Sequence, residues 1–213
     1  MADGRKIRKT IFIIIGSLLL LYILTVVYNV VMLGYDFGFF DKEYSTYDLA
    51  YQYDSKHGEI NSAKRYFNSI VPANKIVEVE FKGDNKITIL EIHPGKGDSV
   101  QTDKFSAHNL DIDSKRVDEA LQILGWTRDK LGTLKQKLDA ANCIGIKNGE
   151  PAQVRFQRHG SDTYIFNVFN TPIPDSLKKH YNDSCTYVYV NSHLVLENGG
   201  EGMGSHCFPN GGR

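Results

Sequence analysis

The last fifteen residues, Gly199 to Arg213, gather the groups that most look like a reactive loop. Gly200, Gly202 and Gly204 form a G-x-G-x-G run, and His206 and Cys207 follow it. Three chemistries are on offer, a phosphate cradle, a thiolate nucleophile and a metal clip, and each has a geometric condition. A phosphate cradle works by opening a helix whose N-terminus faces the anion. Here Ser205 stands where the dinucleotide pattern needs glycine, and Pro209, Gly211 and Gly212 follow. So short and broken a segment cannot build that helix, and the cradle fails.

The His-Cys pair meets its own obstacle. Neighbours in extended chain point to opposite sides, so His206 can neither serve Cys207 as a base nor share an ion with it. The histidines stand at 57, 93, 108, 159, 180, 193 and 206, without H-x-x-x-H spacing, and no C-x-x-C occurs. No G-x-S-x-G elbow is present. The carboxylates Asp111 and Asp113 read as a helix entrance, and Asp118 and Glu119 as its solvated first turn. The expectation is therefore no catalytic, cofactor-binding or metal residue and no cofactor. A thiol enzyme at Cys207, served by His180 or His193 brought near by folding, stands as the alternative.

The cysteines make better sense as a fastening. Three of them, Cys143, Cys185 and Cys207, allow one bridge and leave one thiol. A hairpin from Cys185 to Glu197 with its turn at Asn191-Ser192 would set Cys185 opposite Asn198, where the glycine-rich tail begins. This predicts a Cys185–Cys207 disulfide, with Cys143–Cys207 as runner-up. Closing a loop of about 20 residues contributes on the order of 3 kcal/mol. Cys143, between a helix and a strand, reads as a small buried hydrophobe. Asn182-Asp183-Ser184 is a glycosylation acceptor in a eukaryotic host, or simply a turn.

The elements that must carry these groups follow from periodicity. GEINSAKRYFNSI sets Ile60, Ala63, Phe67 and Ile70 on one helical face. KIVEVEF and KITILEI alternate around Gly83-Asp84-Asn85, a hairpin. His93 to Asp113 reads as a long loop with at most a short strand near Phe105. Asp113 is the expected cap of a helix ended by Gly125, and Thr127 caps the next, with Trp126 and Leu131 placed as a hydrophobic staple. Gly132 inside that helix costs about 1 kcal/mol against alanine and so predicts a packing reason. CIGI, AQVRFQR, TYIFNVF, CTYVYV and HLVLE are strand-like, with a short helix at Asp175–Tyr181 between the last pairings. The tally is about seven strands, helices in blocks rather than alternation, hence α+β with a mostly antiparallel sheet covered by helices.

The N-terminus fixes the setting. Residues 11–33 contain no charged group and, at about 1.5 Å per residue, are long enough to cross a bilayer. No A-x-A-like cleavage site follows, so a retained signal anchor is expected. Arg5, Lys6, Arg8 and Lys9 precede the span, while Asp36, Asp41 and Glu43 follow it, which predicts a cytoplasmic N-terminus and an extracytoplasmic domain. Asn29 within the span either reaches the interface or bonds a second helix. The expected division is a basic arm 1–10, the span 11–33, an aromatic-rich linker 34–56, an α+β domain 57–198 and a tail 199–213.

The chain beyond the basic arm is mildly acidic and offers no footprint for nucleic acid. The functional expectation is a single-pass membrane protein, held in lipid by residues 11–33, that presents an interaction domain to a protein partner. Its candidate contact surfaces are Tyr35–Tyr53 and Pro94–Asn109. A structural subunit of an envelope complex, assembled through the span, is the remaining alternative.

Overall fold

The computed structural model describes residues 3–36, 42–95, 104–160, 162–183, 185–200, 204–205 and 207–208. The chain divides into two compact units, Met1–Lys42 and Glu43–Arg213. Among its described residues the first holds one helix, α1 (Asp3–Asp36). Its stretch Ile14–Gly34 is long and apolar enough to span a membrane, and side chains from Ile14 to Leu33 are exposed. The two polar groups in it bond backwards along the helix. Thr25 Oγ1 donates to the Leu21 carbonyl and Asn29 Nδ2 to the Thr25 carbonyl, each at 2.9 Å. Asn29 thus has a partner inside its own helix.

In the second unit, a helix occupies much of the segment expected as linker. In α2 (Thr46–Ser55), Ser45 and Asp48 form a capping box. Leu49 and Tyr53, one turn apart, are buried, which ties α2 to the domain core. Next, α3 (His57–Ile70) buries Ile60, Ala63 and Phe67. The hairpin of β1 (Lys75–Lys82) and β2 (Lys86–Pro94) then leads to β3 (Phe105–Asp111).

The third strand starts where a short strand was expected, at Phe105, and extends it to seven residues within the segment read as a loop. Residues 105–111 pair with β2 from Phe105↔Ile92 to Asp111↔Lys86. Its sequence, FSAHNLD, lacks β-branched residues, and only Phe105 is fully buried, so an edge strand left no alternating signature.

A helical hairpin follows, α4 (Lys115–Leu124) and α5 (Arg128–Ala140). Gly125 between them adopts φ +63°, where a side chain would be strained. The N-cap of α4 is Ser114, not Asp113, and its hydroxyl makes no capping bond. Arg128 organises the entrance instead. Its guanidinium donates to the Ile112 and Ser114 carbonyls and bonds Asp113 and Asp118. Thr127 does cap α5, accepting from the Lys130 amide. Gly132 has no heavy atom within 4 Å of where a Cβ would sit, so the expected packing reason is absent.

The remaining strands are β4 (Gly145–Lys147), β5 (Ala152–His159), β6 (Asp162–Val168), β7 (Tyr187–Asn191), β8 (Leu194–Gly200) and β9 (Gly204–Ser205), with α6 (Asp175–Lys178) before β7. Every pairing is antiparallel, in the order β3-β2-β1-β4-β5-β6-β8-β7, with β9 on β8. The fold is α+β.

At mid-sheet β1 meets the short β4 through Glu78↔Lys147, Val79↔Ile146 and Glu80↔Gly145. A Cβ at Gly145 would lie 2.6 Å from the Val79 carbonyl oxygen, so only glycine permits this contact. Alternation sends Val77, Val79, Phe81, Leu90, Ile92, Val154, Phe156, Tyr164 and Phe166 into the core with α2–α5. Glu78, Glu80, Glu91, Gln153, Arg155, Asn167 and Glu197 alternate with them on the other, outer face.

Candidate functional site

The outer face carries three groups of polar side chains. The first lies along the seam. Glu78, Glu80 and Arg155 are buried to within 2% of completely. Arg155 bonds Glu78 and lies 3.6 Å from Glu80. Lys147 reaches Glu78 at 3.1 Å, and Arg158 reaches Glu80 at 2.6 Å. Charges so buried survive only when paired. These pair with one another, which fits a role in holding β1, β4 and β5 together.

The second group is on β2 and β3. Glu91 accepts from Ser106 Oγ at 3.0 Å and lies 2.9 Å from His93 Nε2 and 3.6 Å from His108 Nε2. Burial pushes the Glu91 carboxyl up, but bonds to His93 and Ser106 and the imidazole charges outweigh it and hold the group below its ordinary range. The carboxylate is central here. A hydrolytic triad needs histidine between acid and nucleophile, so the arrangement does not activate Ser106.

The third group surrounds a cavity of about 230 Å³. After β6 the chain passes Pro172 and Pro174, turns through α6 and comes back over the sheet. Phe169 and Ile173 pack with Val195, Tyr181, Tyr187 and Tyr189, and this small apolar cluster anchors the returning segment. Its inner edge sets Tyr181 and Tyr187 over Gln153, Asn167 and Glu197, with Lys147, Asn148 and His180 completing much of the lining.

Hydrogen bonds fix the cavity's polar wall. Asn167 Nδ2 donates to Glu197 Oε2 at 2.7 Å, and Gln153 Nε2 reaches the same oxygen at 3.4 Å. Tyr187 hydroxyl lies 3.5 Å from Glu197 Oε1. The rings of Tyr181 and Tyr187 stand 5.7 Å apart at 85°, and His180 lies 5.7 Å from Tyr187. Burial, and then the Glu197 charge, push the Tyr187 phenol up to about 12. Tyr181 is raised by the same two causes.

The structure gives the sequence-predicted residues other duties. Cys185 and Cys207 form a disulfide, and Cys143 is the free, buried cysteine. The Cys143–Cys207 alternative is not the pairing present. While the bridge stands, Cys207 carries no thiolate. His180 packs on Tyr181 and Tyr187, and His193 Nδ1 lies 3.3 Å from the Phe169 carbonyl oxygen, so both imidazoles are engaged elsewhere. Burial raises the Cys143 thiol to about 12, which keeps it protonated and inert.

The hairpin register also differs from expectation. Asn191 pairs with Leu194 and Tyr187 with Glu197, a bulge intervening between Tyr189 and Asn191. The turn is therefore Ser192-His193, and the carbonyl of Thr186, not Cys185, receives the Asn198 amide. The strap still closes. The Phe208 amide donates to the Cys185 carbonyl at 2.9 Å, and the Phe208 ring, 2% exposed, stacks 6.3 Å from Tyr164.

The aromatic segment expected as a contact surface separates by residue. Tyr44 packs against Phe156 and Tyr164, Tyr53 is buried, and Tyr47 and Tyr51 are 78% and 62% exposed on α2. Residues 37–41 and 96–103, and His206, lie outside the described residues.

Sequence reasoning passed over Gln153, Asn167, Tyr181, Tyr187 and Glu197. A signal was present. TYIFNVF is a nearly unbroken apolar run, the mark of a strand covered on both faces, and Asn167 interrupts it. All seven residues of β6 are indeed buried. No protein-family model matches this chain, and no curated protein or solved structure is similar to it at a significant level.

Proposed function

We propose that this chain is a single-pass membrane protein, N-terminus inside, presenting a binding domain whose site is the Tyr181–Tyr187–Glu197 cavity. The observation that carries the reading is convergence. A carboxylate, two amide side chains and two phenols from β5, β6, β8 and the returning segment face one concavity, which is how a small-ligand site is built. The cavity's own polar groups support binding, since they hydrogen-bond one another as fixed donors and acceptors.

The anchor and orientation rest on the apolar helix, the basic arm before it and the Cys185–Cys207 bridge, which suits an oxidising compartment. Tyr47 and Tyr51, one turn apart and exposed on α2, favour a separate protein contact. Assembly through the span has less support, because Thr25 and Asn29 bond within α1.

Two measurements test this. Protease added to sealed, right-side-out vesicles should digest the domain and spare the basic arm, and a protected domain reverses the orientation. A fragment screen on the full chain in nanodiscs should yield ligands lost on Tyr187→Ala. A screen whose hits all ignore Tyr187 removes the cavity as the site.

A further inference from the structure

We infer that the cavity selects a small organic cation, an ammonium compound held by Glu197 and the tyrosine rings. The inference rests on the binding reading above and adds the chemical class of the ligand.

Charge pairing on the outer face leads to it. Glu78 and Glu80 sit among three cations, Lys147, Arg155 and Arg158. Glu91 has two histidines. Glu197 differs, because its hydrogen-bond partners, Gln153, Asn167 and Tyr187, are all neutral. Its two oxygens are also unequal. Oε2 takes both amide donors, while Oε1 has the long contact from Tyr187. A half-buried carboxylate with neutral hydrogen-bond partners keeps acceptor capacity for a charged donor, and Oε1 is where that donor fits.

The walls suit the same ligand. Two rings at 85° with a third beside them form an aromatic corner, and aromatic faces attract cations through their quadrupole. Lys147 also lines the cavity, but its ammonium is held at 3.1 Å by the fully buried Glu78. Its ammonium is thus directed at Glu78, while the hydrogen-bond partners of Glu197 stay neutral. An anion would face the Glu197 carboxylate. A neutral sugar could use the amides and hydroxyls, yet it would leave the carboxylate's charge unanswered. The volume of about 230 Å³ is near eight water volumes at ~30 Å³ each, enough for a compact cation of choline size.

The test uses the full chain in phosphatidylglycerol nanodiscs, whose lipids carry no ammonium group. Isothermal titration is run with choline, with its neutral carbon isostere 3,3-dimethylbutanol, and with methyl glucoside. Choline should bind, and the isostere should bind about tenfold or more weakly, because it keeps shape and loses charge. Glu197→Gln should cost choline about tenfold, whereas Tyr187→Phe, which keeps the ring, should cost less than about threefold. Equal affinity for choline and its isostere overturns the inference, and because that comparison uses the unaltered chain, no folding defect can mimic it. Tyr187-dependent binding of methyl glucoside without choline sinks the cation and leaves the cavity standing as a site. Absence of any Tyr187-dependent probe removes both.

Discussion

The domain contains the order helix-helix-strand-strand-strand twice, as α2-α3-β1-β2-β3 and as α4-α5-β4-β5-β6. The two halves meet where β1 pairs with β4, and α3 packs on α5 behind that seam. Both turn an apolar face to the helices and a polar face outward. In the first half the outer face ends at β3, and its Glu91, His93, Ser106 and His108 lie at an edge where His108 is 56% exposed. In the second half the chain continues. β8 adds to β6, β7 adds to β8, and the α6 segment folds over the sheet. Polar residues equivalent in placement thus become surface in one half and cavity wall in the other. A concave site here is a product of the appended segment, not of the repeated unit.

The comparison breaks most severely at the seam common to both halves. Arg155→Met would leave Glu78 and Glu80 buried with one cation fewer between them. Removing one partner of such a buried set costs about 3 kcal/mol or more. Urea unfolding should show that loss, and pairing the change with Glu78→Gln and Glu80→Gln should recover much of it. A loss below about 1 kcal/mol would mean water reaches the cluster and the seam is not held by charge.

The appended segment can be loosened separately. Replacing Cys185 and Cys207 with serine opens a loop spanning 22 residues, worth on the order of 3 kcal/mol by chain entropy. Hydrogen exchange should then quicken in β7, β8 and around Phe208 while β1–β3 keep their protection. Uniform quickening would show that the halves unfold as one. Alkylation of the unreduced native chain should modify no cysteine, since Cys143 is buried and two sulfurs are bonded.

Alkaline titration reads the cavity directly. Tyr187 is raised in the fold above its ordinary 10.0, to about 12. The fold therefore favours the neutral phenol. The associated stability is whole below pH 10 and is lost as pH rises through about 12. Phenolate absorbance should show Tyr187 ionising late, together with Tyr53, Tyr164 and Tyr181, which burial also raises. Glu197→Gln should bring Tyr187 and Tyr181 down, because the carboxylate charge is the second cause of their rise. A titration indifferent to Glu197 would place that carboxylate too far from the ring for the site described. Among the described residues, the partners of Glu91 are His93, Ser106 and His108, so no phenol of the first half shares this signature with its carboxylate.

How much of this was legible beforehand depended on whether a residue's role is local. The β1–β2 hairpin, the Gly125 stop, the Thr127 cap and the Leu131-Leu134-Leu138 face are set within a few residues, and periodicity found them. Cys185 and Cys207 were readable because three cysteines leave few choices. The cavity was not, because its wall assembles from strands that neighbour only in space. Gln153, Asn167 and Glu197 sit in three runs, each of which alternates correctly alone. Only the Phe105 end of β3 was readable, because an edge strand with one solvated face has little hydrophobic pattern to show.

The smallest effect comes from Gly132, where a local rule anticipated a packing reason and the structure supplies none. The residue sits mid-helix in α5, the helix of the second half that packs on α3 of the first. A methyl group there meets nothing within 4 Å, and no positive φ marks the position. Gly132→Ala should therefore raise stability by about 0.5–1 kcal/mol, chiefly by narrowing the unfolded ensemble. The change should appear in the denaturant midpoint with an unaltered slope. Combined with the Cys185 and Cys207 replacements, it asks which half limits the whole. If β7 and β8 open first, alanine at 132 slows exchange in the sheet core and leaves exchange in those strands where it was. Slowing in both places would make α5 part of the unit that holds the cavity.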